Sequence, residues 1–513
     1  MISVNKPAGA GSVSVAPPEG DRRVRAVERP ERERKAELGQ FLTPAPVAEF
    51  MAGLFESAPQ AIDLLDAGAG AGALAAALVR RLCLGKVKPE RISVTAYEVD
   101  GRLIMPLRAT LSRCQEACER EGIAFSAEAR NEDFVAAVVP PLRGDLFAPR
   151  ARRFNTAIVN PPYRKIRSDS PERLLLRSVG IETSNLYTGF VALITRLLDQ
   201  GGELVAITPR SFCNGPYFKP FRTDFLRRMS LRRLHVFESR AAAFSAEDVL
   251  QENLIVHAVK EATRPTRVIV SQSSGVPGSR VAERRVAFAD VVSPADPEQF
   301  IHLAVDATHD EAKVAMSRFC ATLAELGVSV STGRVVDFRA KPYLRQEQGQ
   351  GTAPLIYPCH CNRGLVQWPK DDSRKPNAIV SNSQTQELLV PAGFYVLVKR
   401  FTAKEERRRV VASIYDPGRV QQPLVGFENH LNYFHANGAG LPMILAKGLA
   451  AFLNSTVVDL CFRQFSGHTQ VNATDLRSLR FPARRALERL GRRVEDPGMP
   501  QEQLDRLVEE ELL

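Results

Sequence analysis

The chain has 513 residues, 44% of them hydrophobic and 25% charged, which excludes a single-core domain and a disordered polyelectrolyte and fits two or three globular domains. A formal charge of +11 suits a polyanionic partner without proving one. No apolar run reaches membrane-spanning length and no signal peptide opens the chain, so a cytoplasmic protein with no membrane partner is expected.

Residues 1–38 begin with small residues, Gly and Pro and continue as a mixed-charge run from Asp21 to Lys35, a composition that predicts a disordered tail. Order is expected from Gly39-Gln40-Phe41-Leu42-Thr43-Pro44, with Thr43 as N-cap of a helix that carries Val47, Phe50, Met51 and Leu54 on one side. The strand Ala61–Asp66 runs into Gly68-Ala69-Gly70-Ala71-Gly72 and an alanine- and leucine-rich helix, a nucleotide-type turn in which small residues let a ligand approach the backbone. The next strand, Ile92–Tyr97, ends at Glu98, an acid placed to accept from two ribose hydroxyls. Asp133 and Phe134 end a weaker segment, where the acid suits an adenine amino group and the phenylalanine its ring.

The strand Phe154–Val159 stops at Asn160-Pro161-Pro162-Tyr163, at the carboxyl end where open α/β sheets place ligands. A primary amino group has two N–H donors and needs two fixed acceptors. The Asn160 side-chain oxygen and the Pro161 carbonyl supply them, the prolines stiffen both, and Tyr163 offers a ring to stack on the acceptor. An apolar helix from Asn185 to Leu198, a strand from Glu203 to Thr208, and closing strands at Leu234–Phe237 and Leu254–Val259 complete one doubly wound α/β domain over 39–262.

Residues 263–310, richer in Pro, Ser and charge, read as a connection with some strand character. From 311 to 513 short strands are expected around 326–338, 353–368, 394–401 and 410–414, with an amphipathic helix over Leu441–Asn454 and a last helix from Gln501. Basic and aromatic residues are interleaved here, as in Arg334, Phe338, Arg339, Lys341 and Tyr343, then Arg363, Trp368 and Lys370, then Lys399, Arg400, Phe401 and Lys404. That pattern suits phosphate neutralisation with base contact. The eight cysteines are irregularly spaced; Cys359-His360-Cys361 is their tightest cluster, has no second pair at zinc-site spacing, and is expected in a strand or turn with no metal.

Glycine loop, ribose-binding acid and amino-holding tetrapeptide together describe methyl transfer from S-adenosylmethionine to an exocyclic nitrogen, where positioning and electrostatics supply the rate. An adenine in duplex DNA must be flipped to reach such a site. Phe244, between the last two strands, is the candidate for the ring's second face.

In these pieces the chain resembles the gamma-class DNA adenine-N6 methyltransferases, the group that includes the TaqI and XhoI modification methylases. The matching stretches are Gly39–Pro44, Asp66-Ala67-Gly68-Ala69-Gly70, Glu98, Asp133-Phe134, Asn160-Pro161-Pro162-Tyr163 and the loop from Phe244 to Asn253. Ser331-Thr332-Gly333-Arg334, Glu428-Asn429-His430 and Ala450–Ser455 resemble pieces of the target recognition domain. The resemblance implies a Rossmann-like class I S-adenosylmethionine-dependent methyltransferase domain (α/β) followed by an α+β target recognition domain. It implies cofactor contacts at Thr43, Asp66, Gly68, Gly70, Glu98, Asp133 and Phe134, and adenine binding at Asn160, Pro161, Tyr163 and Phe244. It implies duplex DNA as partner and a cognate restriction endonuclease, expected on a separate polypeptide.

Three other readings share some of these residues. A glutamine amide presents a similar planar amine, so a protein glutamine methyltransferase is one; an RNA adenine methyltransferase is another. A catalytically silent DNA-binding subunit is the third. The Pro358-Cys359 pair, which a cytosine-C5 enzyme would need near its cofactor loop, lies far along the chain.

Overall fold

The computed structural model describes residues 39, 42–57, 59–144, 150–237, 252–261, 263–275, 279–294, 296–303, 307–370, 372–402, 408–465 and 470–513. The expected tail and Phe244 lie outside them.

In chain order the first part contains helix α1 (Ala45–Gly53), strand β1 (Ala61–Ala67), α2 (Ala73–Leu84), β2 (Arg91–Tyr97), α3 (Gly101–Arg120), β3 (Ala124–Arg130), α4 (Phe134–Arg143) and β4 (Phe154–Val159). It continues with α5 (Pro171–Ser178), α6 (Leu186–Leu197), β5 (Leu198–Pro209), α7 (Lys219–Arg228), β6 (Ser230–Phe237), β7 (Asn253–Val259), β8 (Arg267–Ser273) and β9 (Ala282–Ala287). These strands make one nine-stranded sheet in the order β3-β2-β1-β4-β5-β7-β6-β8-β9. β1, β2, β3, β4 and β5 are parallel, and β7 inserts antiparallel between β5 and β6.

The central strands are apolar on both faces because both are covered. On β1, Leu65 packs toward α4, α6 and α7 while its neighbour Leu64 joins Ile92, Val94 and Ile158 under α1, α2 and α3. The chain winds outward from β1 in both directions, toward β2 and toward β4. The carboxyl ends of β1, β2 and β4 therefore border the crevice where such sheets bind ligands.

The stretch expected as a connection over 263–310 instead extends this sheet. β8 pairs parallel with β6, β9 pairs antiparallel with β8, and Val268, Val270, Val291, Val292, Ile301 and Leu303 belong to the first core. The boundary at 262 therefore falls inside the sheet. β9 is an edge strand with a largely exposed Ala-Glu-Arg-Arg-Val-Ala sequence, so it lacks the apolar run that marks a buried strand. Arg222 of α7 fixes the following turn. It is fully buried, donates to the Glu298 carbonyl through Nε (3.0 Å) and Nη2 (2.8 Å), and donates through Nη1 to the carbonyls of Phe212 (3.0 Å) and Gly215 (2.7 Å).

The second part is α+β. A six-stranded sheet contains Ser329–Thr332, Tyr395–Lys399, Ala412–Tyr415 and Leu431–His435, and a five-stranded sheet contains Thr352–Ile356, Ala378–Val380 and Leu424–Phe427. Met443–Leu453, expected to be amphipathic, is buried along almost its whole length. The reason is a close helix crossing: a Cβ on Gly448 would lie 1.8 Å from the Leu487 carbonyl oxygen, and one on Gly491 2.0 Å from that of Ile444. His360, in the cysteine-flanked cluster, is a buried turn residue whose Nδ1 accepts from the Tyr357 amide (2.9 Å) and whose Nε2 donates to Asn377 Oδ1 (3.1 Å). Among the described residues no single helix is long and apolar enough to cross a membrane.

Candidate active site

A cavity of about 440 Å³ opens at the carboxyl ends of β1, β2 and β4, within the size range of small-molecule cofactor sites. Its floor is the glycine loop. Gly68 (φ +79°) and Gly70 (φ +57°) adopt left-handed backbone that side-chain-bearing residues rarely take. The amides of Gly68 and Ala69 both donate to the Tyr97 carbonyl at 2.9 Å, which clamps the loop to the end of β2.

Glu98 is almost fully buried at the next strand end. Its Oε2 accepts from the Gly70 amide (2.7 Å) and its Oε1 from the Asp100 amide (2.8 Å). Burial raises its pKa, and the Asp100 and Gly70 amides offset part of that rise. Each oxygen keeps a second lone-pair direction that can accept from a hydroxyl. Asp133 is the N-cap of α4, with one carboxylate oxygen accepting from the Ala136 amide at 2.8 Å. It was expected to end a weak segment; the helix after it is what orients it. The Phe134 ring is in the cavity wall, edge-on to Tyr97 (5.2 Å between ring centroids) and tilted against Phe190 (4.9 Å).

Asp66 lies beneath the loop, outside the cavity wall and fully buried. Neither carboxylate oxygen meets hydrogen-bond geometry with another described group. Burial pushes its pKa to about 7, opposed by the Ala75 amide and reinforced by the nearby charge of Glu98.

Thr43 does not cap α1. Pro44 holds the cap position without a side-chain bond, and the Thr43 hydroxyl instead accepts from Asn160 Nδ2 at 3.0 Å. That contact fixes which way the Asn160 amide points and turns its Oδ1 to the opposite side. Thr43 and Asn160 both line the cavity. Past Asn160, Pro161 is buried and Tyr163 half-buried, both beside the cavity rather than in its wall. The Tyr163 hydroxyl donates to the Ile207 carbonyl at 3.2 Å, its ring meets Tyr187 edge-on at 6.1 Å, and its amide donates to the Gly39 carbonyl at 2.9 Å.

The cavity thus gathers Thr43, Gly68, Gly70, Glu98, Asp133, Phe134 and Asn160, with Asp66, Pro161 and Tyr163 immediately behind or beyond it. Sequence reasoning missed Tyr97, Phe190 and the Arg164–Glu172 ion pair (2.6 Å) that also border it. Tyr97 stands one position before Glu98 and was legible from that; Phe190 is one apolar residue in an apolar helix and carries no signal.

A positive-φ glycine cradle, an acid already hydrogen-bonded to the loop and a helix-capping acid beside a phenylalanine ring suit a ligand with a ribose and an adenine. That donor set fits S-adenosylmethionine, and with the sheet order it defines a class I S-adenosylmethionine-dependent methyltransferase. Residues 111–244 match the family model described as Eco57I restriction-modification methylase. The chain is 44% identical over 478 residues to the type II methyltransferase M.PstI of Providencia stuartii, covering 93% of each chain. It is 43% identical over 497 residues to M.BsuBI of Bacillus subtilis, covering 95% of this chain and 97% of that one. It therefore belongs to the type II methyltransferases of restriction-modification systems. Among solved structures, the type IIG restriction endonuclease BpuSI matches with a TM-score of 0.42 and 13% identity, covering 92% of this chain and 63% of that chain. A DrdV–DNA complex matches with a TM-score of 0.46 and 12% identity, covering 89% and 57%.

Proposed function

We propose that the protein methylates the exocyclic N6 of an adenine flipped out of duplex DNA at a specific site, as the modification enzyme of a restriction-modification system whose endonuclease is a separate polypeptide. One observation carries this reading: Asn160, oriented by Thr43, stands in the wall of the same cavity as the glycine loop, Glu98, Asp133 and Phe134.

Thr43, Asp66, Gly68, Gly70, Glu98, Asp133 and Phe134 would hold S-adenosylmethionine, Glu98 at the ribose and Asp133 with Phe134 at the adenine. The cofactor supplies a methyl group already activated by its sulfonium. Asn160 Oδ1 and the Pro161 carbonyl accept the two amino hydrogens of the target base, which directs the nitrogen lone pair out of conjugation and toward the cavity. Tyr163 covers one face of the base, and Phe244, outside the described residues, is assigned the other. Holding the acceptor in this geometry is the main source of rate, since the leaving group needs no further activation.

The test is incubation with duplex DNA and labelled cofactor, followed by nucleoside analysis. N6-methyladenine is expected; label only in cytosine, RNA or protein refutes the assignment. Asn160→Ala should abolish transfer while cofactor binding persists, and loss of both would remove Asn160 from the acceptor side.

A further inference from the structure

Among the described residues that line the cavity, Arg164 is the one cation, set among Glu98, Glu132, Asp133 and Glu172. The roles proposed for the cavity leave it and its partner Glu172 unused. Arg164 directly follows the tetrapeptide, and its backbone is held on two sides. The Tyr163 amide before it donates to the Gly39 carbonyl at 2.9 Å, and the Leu186 amide donates to the Arg164 carbonyl at 2.8 Å. A bridge between Lys165 and Asn185 and a bond from the Ile166 amide to the Ser184 carbonyl (3.0 Å) continue this pairing.

The side chain is held as well. Its Nη2 donates to Glu172 Oε1 at 2.6 Å. Glu172 is in the first turn of α5, behind a Ser170 cap that accepts from the Arg173 amide at 3.4 Å, where the helix end favours a carboxylate. Burial alone would raise the Glu172 carboxyl; the bonds from Arg164 and from its own amide outweigh it and hold the group below its ordinary value. α5 packs against α4, and its Leu176 lies so close to α6 that a Cβ on Gly189 would stand 2.7 Å from Leu176 Cδ1. α4 and α6 supply Phe134 and Phe190, whose rings meet at 4.9 Å in the cavity wall. Leu186, the residue bonded to Arg164, opens α6 and lines the cavity too. The ion pair therefore stands at the same end of the cavity as the two phenylalanine rings.

We propose that the Arg164 guanidinium closes over the adenine of S-adenosylmethionine, and that Glu172 is the positioning residue that holds it there. This rests on the reading above that puts the cofactor's adenine at Asp133 and Phe134. A guanidinium is a flat cation that stacks on aromatic faces, nucleobases included. Alone it would direct a positive charge at a cofactor that carries a sulfonium; paired with Glu172 it offers its face with that charge cancelled.

The experiment measures, by calorimetry on the full chain, the affinity for S-adenosylhomocysteine and for 5′-methylthioadenosine, which keeps the nucleoside and lacks the amino-acid end. Arg164→Ala should weaken both ligands by the same factor, about tenfold, the range of a partly desolvated cation on an aromatic face. Arg164→Lys keeps the charge without the flat face and should lose roughly threefold for both; it carries the same test if the alanine variant does not fold. A loss confined to S-adenosylhomocysteine would put Arg164 at the methionyl carboxylate and overturn the proposal. Unchanged affinity for both ligands with a raised KM for DNA would make it a DNA contact, with the same consequence. Glu172→Gln should lose affinity for both ligands, and combining it with Arg164→Ala should add less than about twofold to the loss of Arg164→Ala alone; additive losses would remove the positioning role from Glu172. Wild-type protein that binds neither ligand overturns the cofactor-site reading itself.

Discussion

Replacing Glu203 by glutamine tests how the catalytic sheet is tied to the segment that enters it. Glu203 lies on β5 and is nearly fully buried. Its Oε2 accepts from the Glu56 amide (3.0 Å) and from His257 Nε2 (2.8 Å), and its Oε1 accepts from the Ser57 amide (2.6 Å). Burial pushes the carboxyl up, but the bonds from His257, Ser57 and Glu56 outweigh it and bring it from 4.5 down to about 2. A pKa lower in the folded than in the unfolded state means that folding favours the ionised form. That contribution is complete well above pH 4.5 and is lost as the pH falls toward 2. Converted at 1.36 kcal/mol per unit, the depression is worth roughly 3 kcal/mol at neutral pH and roughly 2 at pH 3.5. Glutamine keeps the size but offers one oxygen, and its NH₂ faces donors. Native-state hydrogen exchange on the amides of β5 and β7 reads this sheet apart from the second part of the chain. Glu203→Gln should lower their opening free energy by roughly 3 kcal/mol at pH 7, with the gap narrowing toward pH 3.5. A gap below roughly 1 kcal/mol at pH 7, or one that does not change with pH, would refute the reasoning.

Three further outcomes are expected. Thr43→Val removes the acceptor of Asn160 Nδ2 and should slow single-turnover methylation at saturating cofactor on the order of 10- to 100-fold through misplacement, beyond any loss of cofactor affinity seen by calorimetry; a rate that returns to wild type at saturating cofactor would make Thr43 a cofactor ligand only. Asp66 has a folded pKa of about 7 against an ordinary 3.8, so its ionisation opposes folding as pH rises between those values. Asp66→Asn should therefore stabilise the cofactor-free protein by roughly 4 kcal/mol at pH 8, and less at pH 5, while weakening cofactor binding; a gain independent of pH would show that the carboxyl does not titrate in this way. Gly448→Ala must push apart two helices whose backbones touch and should cost about 2 kcal/mol, seen as an earlier Trp368 fluorescence transition in urea, with cofactor affinity of the first part unchanged.

The first part was legible because its chemistry is local. A strand buried on both faces reads as an apolar run, and each of Gly68, Glu98 and Asn160 directly follows such a run, so strand ends and cavity-lining residues were read together. Thr43 was misread as a cap for a complementary reason: Thr-Pro before a helix satisfies the capping pattern, and only the fold brings Asn160, 117 positions away, to its hydroxyl. β9 escaped because an edge strand needs no apolar face, and β8, an interior strand between β6 and β9, showed only as some strand character because its apolar run is limited to Val268-Ile269-Val270 before Ser271-Gln272-Ser273. Arg222 gave no signal at all, since an arginine whose four hydrogen bonds satisfy the carbonyls of Phe212, Gly215 and Glu298 looks in sequence like any helix-surface arginine. In the second part, strands of two to five residues pair across long separations, as Thr352–Ile356 does in parallel with Leu424–Phe427. Short runs of that kind hold their place through partners the local sequence does not name.

The carboxyl end of β5 is where the two parts of the protein depend on each other. Arg210, the first residue after the strand, pairs with Glu252 at 3.2 Å and donates to the Arg463 carbonyl of the second part, also at 3.2 Å. β5 is hydrogen-bonded to β4, whose next residue is Asn160. Backbone pairing and a polar contact thus connect the second part to the strand that precedes Asn160. On the proposed reading, seating the second part on a DNA site would therefore bear on the strand that leads to Asn160 through the Arg210 contact.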